Sequence, residues 1–258
     1  MKKCLLICLL ALSLLCGCAD GDLSDSERFT ELKSAIDSAN GESLVSGGYL
    51  IEITVSGVTI YYARGDISFN RSEGRAYNDF SQTYMGQSAA AQNYYADGKL
   101  VSVEKSGITT FDRTEEQILG KFPYAKLIAL PDEVVSVAEK SSSVGKTVEL
   151  VRKDTEIICN SVIGEDLYSL ASVIKKPQTD KTRYSDTKCI YTLNDGKVVS
   201  CRYEFTVTLF DTPAYVPGYS VPESDYTVDL DIVAKVNYSD FGSGVTVPEY
   251  SESENSEN

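Results

Sequence analysis

Residues 226–238 alternate, with Val233 the one apolar residue on the polar parity. Tyr226, Val228, Leu230, Ile232, Ala234, Val236 and Tyr238 fall on one parity; Thr227, Asp229, Asp231, Lys235 and Asn237 fall on the other. In an extended chain successive side chains point to opposite faces, so this run is a long strand with one face buried and one wet. A strand of that kind needs antiparallel neighbours with matching stripes.

Several neighbours are legible. Tyr49, Ile51, Ile53 and Val55 alternate with polar partners, and beyond Ser56-Gly57 the apolar set moves to Val58, Ile60 and Tyr62, which marks a tight hairpin or a bulge. Residues 65–92 are harder to divide, although Tyr77, Phe80 and Tyr84 point to more sheet. Tyr95 to Ser102 and Leu193 to Ser200 echo one another as strand, Asp-Gly turn, strand. Around Asn194-Asp195-Gly196 we expect a three-residue loop, a register that sets Cys189 opposite Cys201. Tyr191, Leu193, Tyr203, Phe205, Val207 and Leu209 share their parity, so both sulfurs face the core, either as a cross-strand disulfide or as two buried thiols. Cys159 has no evident partner.

Helices are fewer. Ser24-Asp25-Ser26-Glu27 is a capping box, followed by Phe29, Leu32, Ile36 and Ala39 at helical spacing and stopped by Asn40-Gly41. Asp112 to Gly120 reads as a short capped helix, and 131–140 and 156–174 are expected to be helical. The segment 211–225, rich in proline and tyrosine, is a long connection of the sort that carries binding function.

The N-terminus carries an address. Lys2 and Lys3 precede an apolar run from Cys4 to Leu15 that is shorter than the ~20 residues of a membrane-spanning helix. That is a secretory signal peptide. Leu15-Cys16-Gly17-Cys18 resembles the lipobox of bacterial lipoproteins, which implies cleavage before Cys18 and acylation, palmitate included, of that cysteine. Two acyl chains at about 0.8 kcal/mol per buried methylene anchor a protein durably. The expected divisions are 1–17 signal peptide, 18–26 tether, 27–248 a single domain and 249–258 a disordered acidic tail, in an extracytoplasmic protein anchored to the bacterial cell membrane.

Charge and composition exclude more than they assign. With 24 basic against 38 acidic residues the formal charge is −14, which disfavours nucleic acid as a partner, because phosphate neutralisation needs clustered Lys and Arg. The chain has no histidine, which removes Ser-His-Asp and Cys-His nucleophiles and the commonest transition-metal ligand. Val144-Gly145-Lys146-Thr147 lacks the first glycine of a phosphate loop, since position 140 is Lys140. Asp225, Asp229 and Asp231 lack the loop geometry of calcium sites. We expect no catalysis, no metal and no cofactor.

The lipidated cysteine, short tether, N-terminal amphipathic helix and successive long strands, closed by Tyr238-Ser239-Asp240-Phe241-Gly242 and the exit Val245-Thr246-Val247-Pro248, look like the LolA/LppX-type lipoprotein superfamily. The resemblance implies an α+β fold: a strongly curved antiparallel sheet, a half-barrel, covered by a few helices, with an apolar or lipid-like ligand held in the concavity. Candidate lining residues are Tyr203, Phe205, Val207, Tyr226, Val228, Leu230, Ile232 and Val236; the same face serves equally as a filled core. The alternative is an envelope interaction module that binds a protein or glycan through exposed tyrosines, such as those of Tyr61-Tyr62 and Tyr94-Tyr95, and the 211–225 loop.

Cells expressing the chain should incorporate labelled palmitate into it, and Cys18→Ala should abolish the label and leave an uncleaved precursor. Labelling that survives Cys18→Ala would move the lipid elsewhere.

Overall fold

The computed structural model describes residues 24–114, 127–131, 134, 136–142, 145–163, 181–210, 222 and 226–251. Helix α1 (Asp25–Gly41) opens with the expected box: the Ser24 hydroxyl accepts from the Glu27 amide, and the Glu27 carboxylate accepts from the Ser24 amide. Those bonds hold the Glu27 carboxyl below its usual range. One stripe, Leu32, Ala35, Ile36 and Ala39, is buried. Burying a Leu or Ile side chain stabilises by about 1.5–3 kcal/mol.

Six strands then run as an uninterrupted meander: β1 (Leu44–Val55), β2 (Val58–Asn70), β3 (Arg75–Tyr84), β4 (Gln87–Ala96), β5 (Lys99–Glu104) and β6 (Gly107–Asp112). After them come β7 (Ser136–Ser142), β8 (Gly145–Arg152), helix α2 (Thr155–Val162), β9 (Arg183–Tyr184), β10 (Thr187–Asn194), β11 (Lys197–Phe210) and β12 (Thr227–Phe241). All join one antiparallel sheet in the order β6-β5-β4-β3-β2-β1-β12-β11-β10-β8-β7, with β9 beside β11. The sheet is open, because β6 and β7 stand at its two ends. Among the described residues there are two helices, so the fold is mostly β, with less helix than an α+β reading expects.

Two meanders meet where β1 pairs with β12, from Val45 opposite Phe241 to Thr54 opposite Asp231. The inner stripe is continuous across that junction: Ile53 lies beside Ile232, which lies beside Phe205, and Ile51 beside Ala234, which lies beside Tyr203. α1 packs over β11 and β7. At its end Asn40 clamps the Leu127 backbone in both directions, at 3.0 and 2.8 Å, and Glu42 pairs with Lys197. On the helix flank Lys146 bridges Glu31 and Glu139 at 2.5 and 2.9 Å.

Four readings change. Residues 136–142 are strand β7 and not helix: the segment takes the free edge of β8, and Val137 packs inward beside Leu150, as its β-branched residues favour. Helix α2 stops at Val162; 164–174 lie outside the described residues, as do 115–120 of the proposed capped helix and all of 211–225 except Pro222. The tail boundary also shifts, since Glu249 pairs with Arg75 and the Tyr250 ring lies 5.7 Å from that of Tyr94.

The fourth change concerns the cysteines. Asp195 and Gly196, with φ of 48° and 75°, form a two-residue turn, and a bulge falls between Thr192 and Leu193. Tyr191 therefore faces Cys201, and Cys189 faces Tyr203. The primed turn matches the strand twist better than the longer loop expected. Cys159, Cys189 and Cys201 are free and buried, and burial pushes the thiols of Cys159 and Cys189 up to about 12 and that of Cys201 up as well.

Thiolate is the reactive form, so in the folded protein these three thiols should resist an aromatic disulfide reagent at pH 8. All three should react after denaturation without reductant. A single reacting thiol in the body would restore the Cys189–Cys201 bridge.

Candidate functional site

The inner faces of β1 to β5 do not match those of β10 to β12. On the latter, Tyr203, Phe205, Val207, Leu230, Ile232 and Val236 are buried with α1 laid over that half. Six of the eight expected lining residues therefore belong to the buried core cluster. Val228 is half-buried, and Tyr226, just before β12, lies 6.5 Å from the Phe210 ring. None of the eight lines the cavity described below.

The cavity, about 430 Å³, lies on the other half, between β1 to β6 and the end of α2. Its strand side is built in cross-strand rows. Ile51, Ala63 and Gln82 form one row; Tyr49, Gly65 and Phe80 the next; Asn78, Asn93 and Ser102 the third; Leu100 and Phe111 the fourth. Asn160, Ser161, Val162 and Ile163 face them from α2. Glu104 and Arg113 also border the space, and the Arg113 guanidinium sits over the Phe111 ring at 5.0 Å.

Two local devices shape it. Gly65 stands directly opposite Tyr49, and a β-carbon there would come within 2.7 Å of the Tyr49 ring and of the Asp79 carbonyl. Its missing side chain lets the ring lie across β2, where Tyr49 hydrogen-bonds Asn78. Burial raises the Tyr49 phenol to about 12 against that bond, so it stays protonated at neutral pH. Beside it the Tyr61 hydroxyl donates to Gln82 at 3.3 Å.

The second device places α2. Arg152, wholly buried, donates to both Asp154 oxygens at 2.9 and 2.5 Å, to the Ala129 carbonyl at 2.8 Å and to the Tyr191 hydroxyl at 3.4 Å. Burial works against both charges; their mutual hydrogen bond prevails, raising the guanidinium's proton affinity and holding Asp154 below its usual range. Thr155, the first residue of α2, donates to the Ser185 carbonyl at 2.5 Å and lies 2.7 Å from the Thr187 hydroxyl. The helix is thereby tied to β8 and β10 at its start, and its other end overhangs the cavity.

The alternation of strands hid this site. Asn78, Gln82, Asn93 and Ser102 carry polar side chains on inward positions, so β3 to β5 show no clean stripe. Each tyrosine pair splits: Tyr61 lines the cavity and Tyr95 is core, whereas Tyr62 and Tyr94 point outward. Asp229 and Asp231 accept from Thr208 and Thr206 across the outer face, at 2.6 and 2.7 Å.

Solved structures to which the chain is similar include the lipoprotein LppX of Mycobacterium tuberculosis, at 9% identity over 87% of this chain and 100% of that one, with a TM-score of 0.43. A LolA-superfamily protein of Nitrosomonas europaea is similar at 10% identity over 86% and 95%, with a TM-score of 0.28. A DUF1329-family protein of Desulfovibrio piger follows at 9% identity over 87% and 96%, with a TM-score of 0.27. Overlaps this distant carry no ligand and no activity to this chain. No protein-family model and no curated protein sequence matches it. Among the described residues no helix is long and apolar enough to cross a membrane.

Gly65→Ala should destabilise by about 1–3 kcal/mol, the usual cost of overpacking, and displace the Tyr49 ring. Gly41→Ala, whose β-carbon would meet nothing within 4 Å, should not destabilise. Urea unfolding of the two variants side by side decides whether Gly65 is there to admit Tyr49.

Proposed function

We propose that the chain is an extracytoplasmic binding lipoprotein, held to the membrane by lipid on Cys18, whose sheet curves into a half-barrel and takes an apolar or lipid-like ligand on its concave side. It performs no chemistry on that ligand. The observation that carries the reading is the cavity of about 430 Å³ between β1 to β6 and the end of α2. Its size falls within the usual range of small-molecule sites, roughly 300–1,000 Å³, and its walls set Ile51, Phe80, Leu100, Phe111 and Val162 among polar side chains in about equal share.

Ile232 and Phe205 are 1% and 5% exposed, so replacing them tests folding and not binding. Ser161 is the better position. It is exposed at the cavity mouth on α2, and a tryptophan there reaches into the space without disturbing the core.

The mature chain, released from membranes and observed by native mass spectrometry, should carry a stoichiometric acyl-chain ligand. Ser161→Trp should lower occupancy at least tenfold, whereas Ser161→Ala should not. A clean apo mass that persists after incubation with membrane lipid extract would overturn the reading and favour binding of a protein or glycan.

A further inference from the structure

The cavity's third row is polar where its neighbours are apolar. Asn78 lies in register with Asn93, and Asn93 with Ser102, so each β-carbon is about 5 Å from the next. Asn93 is 7% exposed and Ser102 9%, and both line the cavity. Among the described residues neither side chain has a hydrogen-bond partner in the protein. Buried polar groups are ordinarily matched, and one left unmatched weakens an assembly roughly tenfold. Two such groups side by side on a cavity wall, and not in the solid core, are open to whatever enters the cavity, water or ligand.

The chemistry of that partner is constrained. Asparagine and serine each donate and accept, so the partner must do both. The row itself carries no charge. The charged groups that border the cavity are Glu104, two residues beyond Ser102 on the same strand face, and Arg113, drawn over the Phe111 ring. The row offers an ionic head no opposite charge of its own, and the two bordering charges, being of opposite sign, favour neither an anion nor a cation. Phe80 and Leu100 flank the row with apolar surface on either side.

We infer that the cavity takes a neutral amphiphile, its amide or hydroxyl head buried against Asn93 and Ser102 and its hydrocarbon against Phe80, Leu100 and Val162. This rests on the cavity being the ligand site, and it adds the class of head group and its orientation, polar end inward.

The full chain, purified in a maltoside detergent at one fixed concentration, is titrated with radiolabelled monooleoylglycerol, oleate and hexadecane, and bound label is counted after rapid gel filtration. Monooleoylglycerol should bind at least tenfold more tightly than oleate. Asn93→Leu combined with Ser102→Ala should weaken monooleoylglycerol about tenfold or more and leave hexadecane unchanged or tighter, with the urea midpoint of the protein held or raised. Should the double variant fail to fold, Ser102→Ala alone should weaken monooleoylglycerol about threefold and leave hexadecane alone. Tighter binding of oleate, or variants that keep full affinity for monooleoylglycerol, would overturn the inference and assign the row to water. Failure of the unaltered chain to bind any of the three would instead overturn the cavity as a ligand site.

Discussion

Everything in this fold depends on keeping one parity of every strand on the inner face. A slip of one residue turns a whole stripe outward, and here the stripes are long: an error at β1 would expose Ile51 and Ile53, one at β12 Leu230, Ile232, Ala234 and Val236, and one at β11 Tyr203, Phe205 and Val207. Tight turns guard the register. Ser56-Gly57, Met85-Gly86, Asp97-Gly98 and Asp195-Gly196 all place two successive residues at positive φ, the primed geometry whose twist suits paired strands. The bulges next to two of these turns then correct parity where the sequence shifts it.

Coverage of that inner face divides the molecule. α1 lays Leu32 and Ile36 against one half and covers it. Among the described residues the helix on the other half is α2, eight residues long, with Ile158, Cys159 and Val162 buried, and its start is tied by the Arg152 and Asp154 pair and the two threonine hydroxyls. A buried ion pair contributes little net stability, but removing one partner strands the other charge at a cost of about 3–5 kcal/mol. Such a pair is well suited to fixing where a short helix sits, and so to keeping the space beneath its end.

Much of the sheet was legible in the residues, and the cavity was not. The capping box, the last strand, the Ser-Gly and Asp-Gly hairpins and the switch of parity between Val55 and Val58 all rest on local chemistry that a single chain displays. Residues 136–142 misled because a short run such as Val134 to Ala138 suits either a helix or an edge strand, and only the free edge of β8 decides. Cys189 and Cys201 share a face as expected, yet a bulge at Thr192 moved their partners. The cavity escaped notice because an apolar stripe marks what is packed, whereas the open half is marked by its exceptions, Asn78, Gln82, Asn93 and Ser102. Their inward aim depends on neighbours across the sheet.

The pairing of β1 with β12 joins the two ends of the chain. Strands β1 to β6 pair with their immediate successors and can zip together as soon as they are made, but β1 keeps one edge bare until the final strand arrives. Contacts between distant residues form late and slow folding, and a bare edge is a template for strands of other molecules. An exported chain emerges across the membrane from its N-terminus, so Tyr49, Ile51 and Ile53 wait through the passage of nearly the whole protein beside an unfilled place. For this chain the hazardous interval is the time between the first strand and the last, and any truncation that removes β12 makes that interval permanent.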